Sequence, residues 1–264
     1  MKIKNPKKSL GQNFLTDKNI IDIIVNKGDL KQNDIILEIG PGTGNLTERI
    51  LLKKPLKLFA IEKDKYLAKK LREKFNKKIN LINDDILNVD EKIFSYDSIV
   101  VFGNLPYNIS TQILVKWIRL NNLNKVFKKF ILMFQKEVAE RIIANTNNKK
   151  YGRLSILTSW KMNVKKLLEV SPSSFYPIPK VKSTVLLLEP KNDFFKIKNP
   201  KNLEHITNIF FNQRRKMIKH PLKILFKNTD KISKKLNINI NDRPQNLSPL
   251  KYFELCKEYE NLTF

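Results

Sequence analysis

Asp34-Ile35-Ile36-Leu37-Glu38-Ile39-Gly40-Pro41-Gly42-Thr43-Gly44-Asn45 is the stretch on which the fold turns. A β-branched, apolar run ends in three alternating glycines, and a helical pattern follows from Asn45 to Leu52. Glycine accepts left-handed backbone and carries no Cβ, so such a loop lets a ligand approach the main chain closely. Strand, loop and helix in this order open an α/β sheet, whose ligands bind beyond the carboxyl ends of the strands.

Outward from that unit, LKLFAIE (56–62), INLIND (79–84), DSIVVFG (97–103) and FKKFILMF (127–134) have strand character, with longer helical patterns between them. The alternation predicts a parallel, Rossmann-like sheet with helices on both faces. MNVKKLLEV (162–170) and VKSTVLLLE (181–189), divided by SPSSFYPIP, are expected to pair as an antiparallel addition to the sheet edge. Beyond Pro190 the spacing turns helical in NLEHITNIFF, PLKILFK and LSPLKYFELCKEY. The expectation is an α/β domain over 1–190 and a small all-helical domain over 191–264, divided at the polar KNDFFKIKNPKN.

The chain has 264 residues, with 51 Lys+Arg against 25 Asp+Glu and a formal charge of +26. Its single cysteine, Cys256, excludes a disulfide scaffold. No apolar run approaches the roughly 18 residues of a membrane span, and the start MKIKNPKKSL lacks a signal's apolar stretch, so a cytoplasmic protein with no membrane partner is expected. The positive excess suits a phosphate backbone as partner. The dominance of Lys over Arg, beside abundant Asn and Ile, equally suits A+T-rich codons. No Cys/His cluster has metal-ligand spacing, so no metal is expected, and His205 and His220 read as surface residues. Trp117, Trp160 and Cys256 read as packing residues, and no dimerisation heptad is evident, which suggests a monomer.

Two ligand classes fit the glycine loop. A dinucleotide fingerprint, G-x-G-x-x-G, has Asn45 where its third glycine belongs. The pattern Glu38-x-Gly40-x-Gly42-x-Gly44 is instead the one used for S-adenosylmethionine. Glu62, ending the next strand, is placed to accept both ribose hydroxyls of a nucleoside, in either class. Asp84 and Asp85 follow the third strand, where a carboxylate can accept from an adenine amino group; the choice between them stays open. Acids at successive strand tips favour an adenosyl ligand.

Gly103-Asn104-Leu105-Pro106-Tyr107 follows the fourth strand. Exocyclic adenine nitrogens are poor nucleophiles because the lone pair is delocalised into the ring. An Asn104 side-chain oxygen and a backbone carbonyl at Leu105, held by Pro106, can accept both N6 hydrogens and favour tetrahedral geometry. Tyr107 offers a flat face for a base taken out of its stack. The methyl then passes directly to nitrogen, helped by proximity and alignment.

On these residues the chain resembles the KsgA family of ribosomal RNA small-subunit adenine dimethyltransferases, nearly end to end. The resemblance is carried by Leu10-Gly11-Gln12-Asn13-Phe14-Leu15, the loop from Glu38 to Gly44, Asn104 to Tyr107, and Tyr151-Gly152-Arg153-Leu154-Ser155. Phe175 with Pro177, Pro179, Lys180 and Val181, and Phe211-Asn212-Gln213-Arg214-Arg215-Lys216, complete it. It implies S-adenosylmethionine as cofactor, bordered by Asn13 and Leu15, with Gly40 and Gly42 in the glycine loop, Glu62 on the ribose, Asp85 on the adenine and Asn104 beside the methyl. Tyr107 and Phe175 would sandwich the target base. The implied substrate is two adjacent adenosines near the 3′ end of small-subunit ribosomal RNA, within a partly assembled (pre-30S) particle, each methylated twice on N6. Ile86 departs from the alanine common in the family. Lys7 and Lys8 suit either a phosphate grip or a frayed terminus. Arg214, Arg215 and Lys216, expected on a helix, suit either RNA or an ordinary charged face; the resemblance favours RNA for them and for Arg153. Three rivals are a large-subunit rRNA adenine methyltransferase, an RNA-binding assembly factor whose methylation is dispensable, and a nicotinamide dehydrogenase.

Overall fold

The computed structural model describes residues 6–91 and 98–262. Among the described residues nine strands form: β1 (Phe14–Leu15), β2 (Ile35–Ile39), β3 (Lys57–Ile61), β4 (Asn80–Ile82), β5 (Ile99–Asn104), β6 (Phe127–Gln135), β7 (Met162–Val170), β8 (Phe175–Tyr176) and β9 (Ser183–Pro190). The helices are α1 (Lys18–Lys27), α2 (Asn45–Leu51), α3 (Lys65–Phe75), α4 (Ser110–Ile118), α5 (Leu123–Val126), α6 (Lys136–Ile143), α7 (Arg153–Lys161), α8 (Pro200–Asn212), α9 (Lys219–Leu225), α10 (Thr229–Leu236) and α11 (Pro249–Leu262). Seven strands make one sheet in the order β4-β3-β2-β5-β6-β9-β7. The pairs from β4 through β6 are parallel, and β9 runs antiparallel to β6. The two late strands thus extend the β6 edge, as their sequence suggested, although Asp97 of the expected fourth strand lies outside the described residues.

Every residue of β2 is buried, which a central parallel strand covered on both faces requires. Ile36, Leu58, Val100, Phe102 and Ile131 build the core beside it. Helices start where a short acid can accept orphan amides: Asp17 accepts from Asn19 N and Ile20 N before α1, and Asp64 from Tyr66 N and Leu67 N before α3. A pair the sequence pattern did not indicate joins β1 to β8, with Phe14 opposite Tyr176 and Leu15 opposite Phe175.

By its contacts the chain divides into two units, one of residues 1–139 with 164–190 and one of 140–163 with 191–264. The second begins its late part at the expected boundary but also takes in α7, expected within 1–190. Its core is Leu203, Ile206, Phe210, Tyr252, Leu255 and Cys256. Trp160 donates to Phe195 O at 2.7 Å and meets the Phe194 ring edge-on. Glu260 of α11 accepts from Lys198 N and Asn199 N, both at 2.9 Å, and so stands over the start of α8. Among the described residues no helix is long and apolar enough to cross a membrane, and no group of three or more His, Cys, Asp or Glu gathers to hold a metal.

Candidate active site

A cleft opens at the carboxyl ends of β2, β3, β4 and β5. Gly40, Gly42, Glu38, Glu62, Asp84, Asp85 and Asn104 to Tyr107 line it, together with Ser9 to Leu15 from the N-terminal arm. Gly40 has φ +65°, and a Cβ there would meet nothing within 4 Å, so its backbone faces open space. Gly42 donates its N–H to Glu62 Oε2 at 3.0 Å, which ties the loop to the next strand tip.

Glu62 Oε1 accepts from Asp64 N at 2.9 Å, so both carboxylate oxygens are aimed by main chain. Burial pushes Glu62 above the ordinary glutamate range, opposed by those N–H bonds. Asn83 Nδ2 donates to Glu62 O at 2.7 Å and fixes the neighbouring segment. Asp85 accepts from Lys63 Nζ at 2.7 Å and Leu87 N at 3.0 Å. Burial raises its pKa, but the bonds from Lys63 and Leu87 and the charges of Lys63 and Lys116 outweigh this and leave it below the usual carboxylate value. Asp84 is exposed and accepts from Asp85 N at 2.6 Å. Both aspartates reach the cleft.

Glu38, 1% exposed, accepts from Thr47 Oγ1 at 2.7 Å. Burial raises its pKa from 4.5 to about 7, with the Thr47 bond opposing and the Glu62 charge adding. A glutamate with a raised folded pKa contributes full stability below its unfolded value, and stability falls as pH rises from 4.5 through about 7. Relative to Glu38→Gln, wild type should therefore lose about 3 kcal/mol between acid and pH 8, since each pKa unit corresponds to about 1.4 kcal/mol. Urea titrations of both proteins at pH 4.5 and 8 check this; a constant difference between them contradicts it.

Asn104 Nδ2 donates to Asn13 O at 2.8 Å, so the amide is oriented with Oδ1 as its remaining acceptor. Leu105 is 1% exposed, and a Cβ on Gly103 would stand 2.8 Å from its Cδ2, so only glycine lets the tetrapeptide settle onto the sheet. Pro106 O accepts from Ile109 N at 3.1 Å and closes the turn into α4. Tyr107 Oη and Ser183 Oγ lie 2.6 Å apart, and burial raises the phenol's pKa.

Phe175 departs from expectation. It is 2% exposed, sits in the core beside Leu15 and Val185, and is not among the residues lining the cleft. Its pairing with Leu15 turns the ring inward and leaves the next residue, Tyr176, 51% exposed. Arg214, Arg215 and Lys216 also depart: α8 ends at Asn212, and they occupy the turn after it, where cations complement unsatisfied carbonyls. Arg214 Nη2 donates to Asn148 O at 3.3 Å, and Arg153 Nη1 to Asn208 Oδ1 at 2.9 Å. Lys7 pairs with Asp64 at 3.0 Å; the side chain of Lys8 lies outside the described residues.

Several residues that hold the site were not legible from pattern. Gln12 Nε2 donates to Asp64 Oδ2 at 3.0 Å and, with Lys7, latches the arm beside the cleft. Asn45, noted only as a missing glycine, donates to Leu15 O at 2.8 Å. Of these side chains only Gln12 lies in the Leu10 to Leu15 segment that carries the resemblance.

A family profile described as "Ribosomal RNA adenine dimethylase" matches residues 3–261. The chain is 57% identical over 256 residues to "Ribosomal RNA small subunit methyltransferase A" of Pelagibacter ubique (strain HTCC1062), covering 97% of each. It is 45% identical over 259 residues to the protein of that name from Ehrlichia ruminantium (strain Gardel), covering 96% of each. A crystal structure of a dimethyladenosine transferase from Plasmodium falciparum superposes with TM-score 0.78 at 28% identity, covering 95% of this chain and 98% of that one. With a cleft of adenosyl-binding character and a match that spans almost every residue, the chain belongs to the ribosomal RNA adenine dimethylase family.

Proposed function

We propose that this enzyme dimethylates N6 of two adjacent adenosines in the 3′-terminal hairpin loop of small-subunit ribosomal RNA, using S-adenosylmethionine, during assembly of the subunit. The observation that carries the chemistry is Asn104, whose Nδ2 donates to Asn13 O and so leaves Oδ1 as the acceptor for an incoming amino group. The target is supported by the small-subunit methyltransferases that the chain resembles over nearly its whole length.

The donor set fits an adenosyl ligand: Glu62 offers two oriented oxygens to ribose hydroxyls, and Asp84 and Asp85 offer acceptors to the adenine amino group. The open backbone at Gly40 leaves room beside them. When bound, S-adenosylmethionine supplies a sulfonium methyl, an electrophile that needs no metal. Asn104 Oδ1 and the Leu105 carbonyl accept the two N6 hydrogens and draw the lone pair toward nitrogen, while Tyr107 supports the extruded base. Each transfer would release one N6 proton to solvent, and the two acceptors would meet two N6 hydrogens in the first transfer and one in the second.

The protein acts as a monomer in the cytoplasm on a partly assembled small subunit. Residues 191–264 serve as an RNA-contacting domain, with Arg214, Arg215 and Lys216 on phosphate and Arg153, Lys7 and Lys8 adding to the field. Mass spectrometry of ribosomal RNA after incubating unmodified small subunits or large subunits with enzyme and S-adenosylmethionine tests the reading. Two adjacent dimethyladenosines on small subunits alone are expected; methylation confined to large subunits, or to neither, rejects it.

A further inference from the structure

Granted the adenosyl site proposed above, its adenine end faces a mechanical problem. Asp84, Asp85 and Ile86 line the cleft, yet residues 83–90 after β4 belong to no helix or strand. The turn has local hydrogen bonds, Leu87 N to Asp85 Oδ1 at 3.0 Å and Asn88 N to Asp85 O at 2.9 Å. Asn83 Nδ2 on Glu62 O and Lys63 Nζ on Asp85 tie the start of the segment to the β3 tip, but neither reaches its far part, Ile86 to Glu91.

Lys116 anchors that far part from α4. It lies on α4, whose first residue, Ser110, follows the Asn104 to Tyr107 tetrapeptide by three positions. Its Nζ donates to Ile86 O at 2.9 Å and to Val89 O, and pairs with Glu91 Oε1 at 2.9 Å. The same Glu91 oxygen accepts from Trp117 Nε1 at 3.0 Å. An ammonium has three N–H donors, and here three acceptors drawn from the segment after β4 surround it. The lysine side chain is 21% exposed and the glutamate's 8%, so the contacts are largely shielded from water.

We propose that Lys116 is a positioning residue for methyl transfer. It fastens the segment carrying Asp84 and Asp85 to the helix that issues from the Asn104 tetrapeptide, and thereby holds the adenine acceptors and the methyl-transfer end of the cleft at a fixed separation. One helix then couples recognition of the cofactor's base to placement of its methyl. A lysine that merely stiffened the fold would affect melting temperature and leave ligand discrimination unchanged.

The readout is the ratio of affinities for S-adenosylhomocysteine and S-inosylhomocysteine, which differ at the purine 6-position, amino against oxo. Wild type should prefer the adenosyl ligand by about 10-fold or more, the value of one hydrogen bond to a charged acceptor. In Lys116→Met the segment loses its ties at Ile86 O and Val89 O and its ion pair at Glu91, adenosyl affinity should drop about 10-fold and the ratio should shrink toward unity. Lys116→Gln, which can still donate to a carbonyl, should fall between. Calorimetry gives the affinities, and thermal melts report folding separately.

A folded Lys116→Met that keeps the wild-type ratio overturns the proposal, as does failure of both variants to fold, which would assign the lysine to the fold alone. If wild type binds S-adenosylhomocysteine with no preference over the inosyl ligand, Asp84 and Asp85 are not adenine acceptors and the proposal falls with them. If wild type binds neither ligand, the adenosyl reading of the cleft is itself wrong, a result distinct from the others.

Discussion

Asn104→Ala should lower the rate of methyl transfer to small subunits by about 10²–10³-fold, the usual effect of removing one preorganised polar group from a transition state. The same substitution removes the bond from Asn104 Nδ2 to Asn13 O, 2.8 Å long, which helps place the arm at the cleft. One such neutral hydrogen bond contributes about 1 kcal/mol, so binding of S-adenosylhomocysteine should weaken by only about 5-fold. The catalytic term exceeds the binding term by more than an order of magnitude, and this difference is the diagnostic. Single-turnover rates with saturating cofactor, measured beside calorimetric affinities, separate the two. A rate within about threefold of wild type would remove Asn104 from the chemistry; equal losses in rate and affinity would make it a strut for the arm.

Gly44→Ala should be the most damaging small substitution in the glycine loop, through stability rather than binding. Gly44 has φ +81°, and a Cβ there would lie 2.5 Å from Phe75 Cε2 and 3.1 Å from Leu71 Cδ2. Phe75 is itself 5% exposed within the core, so the ring has nowhere to retreat. Left-handed backbone costs about 1 kcal/mol for a residue with a side chain, and overpacking a core adds about 1–3 kcal/mol. At about 2–4 °C per kcal/mol for a chain of this length, the melting temperature should fall by on the order of 10 °C. Gly40→Ala is the contrast. Its Cβ meets nothing within 4 Å, so it should cost only the backbone term, about 1 kcal/mol, while it intrudes on the space meant for ligand. Calorimetric melts and S-adenosylhomocysteine titrations of both variants test this. Equal melting temperatures would contradict the assigned difference, and undiminished ligand affinity in Gly40→Ala would show that the ligand does not approach that backbone.

The two glycines stand four residues apart in one motif, and nothing in the sequence distinguishes them. Gly44 is needed because Phe75 and Leu71 of α3 close over it; Gly40 is needed because nothing does. The acids show the same division. Glu38, Glu62, Asp84 and Asp85 are legible as strand-tip residues from the alternation of apolar runs and polar turns. That Glu38 is enclosed and drawn toward neutrality while Asp85 is held ionised beside Lys63 follows from neighbours 22 residues distant in one case and from burial in the other.

The sequence by itself determined the parallel α/β sheet, the ligand loop after its first long strand, the acids on successive strand tips, and the Asn104 tetrapeptide after β5. These are local properties: strand and helix periodicity, glycine's backbone freedom and turn chemistry are set by residues a few positions apart. Only the tertiary structure decided that Phe175 is buried against Leu15, that Gln12 and Lys7 latch the arm to Asp64, that Lys116 anchors the segment after β4, and that α7 groups with the C-terminal helices. The residue-to-residue joins among these link positions far apart in sequence, from Lys116 and Ile86, 30 residues distant, to Leu15 and Phe175 at opposite ends of the α/β part. No periodicity encodes them, because each depends on which surfaces the core brings side by side once the apolar faces have been buried.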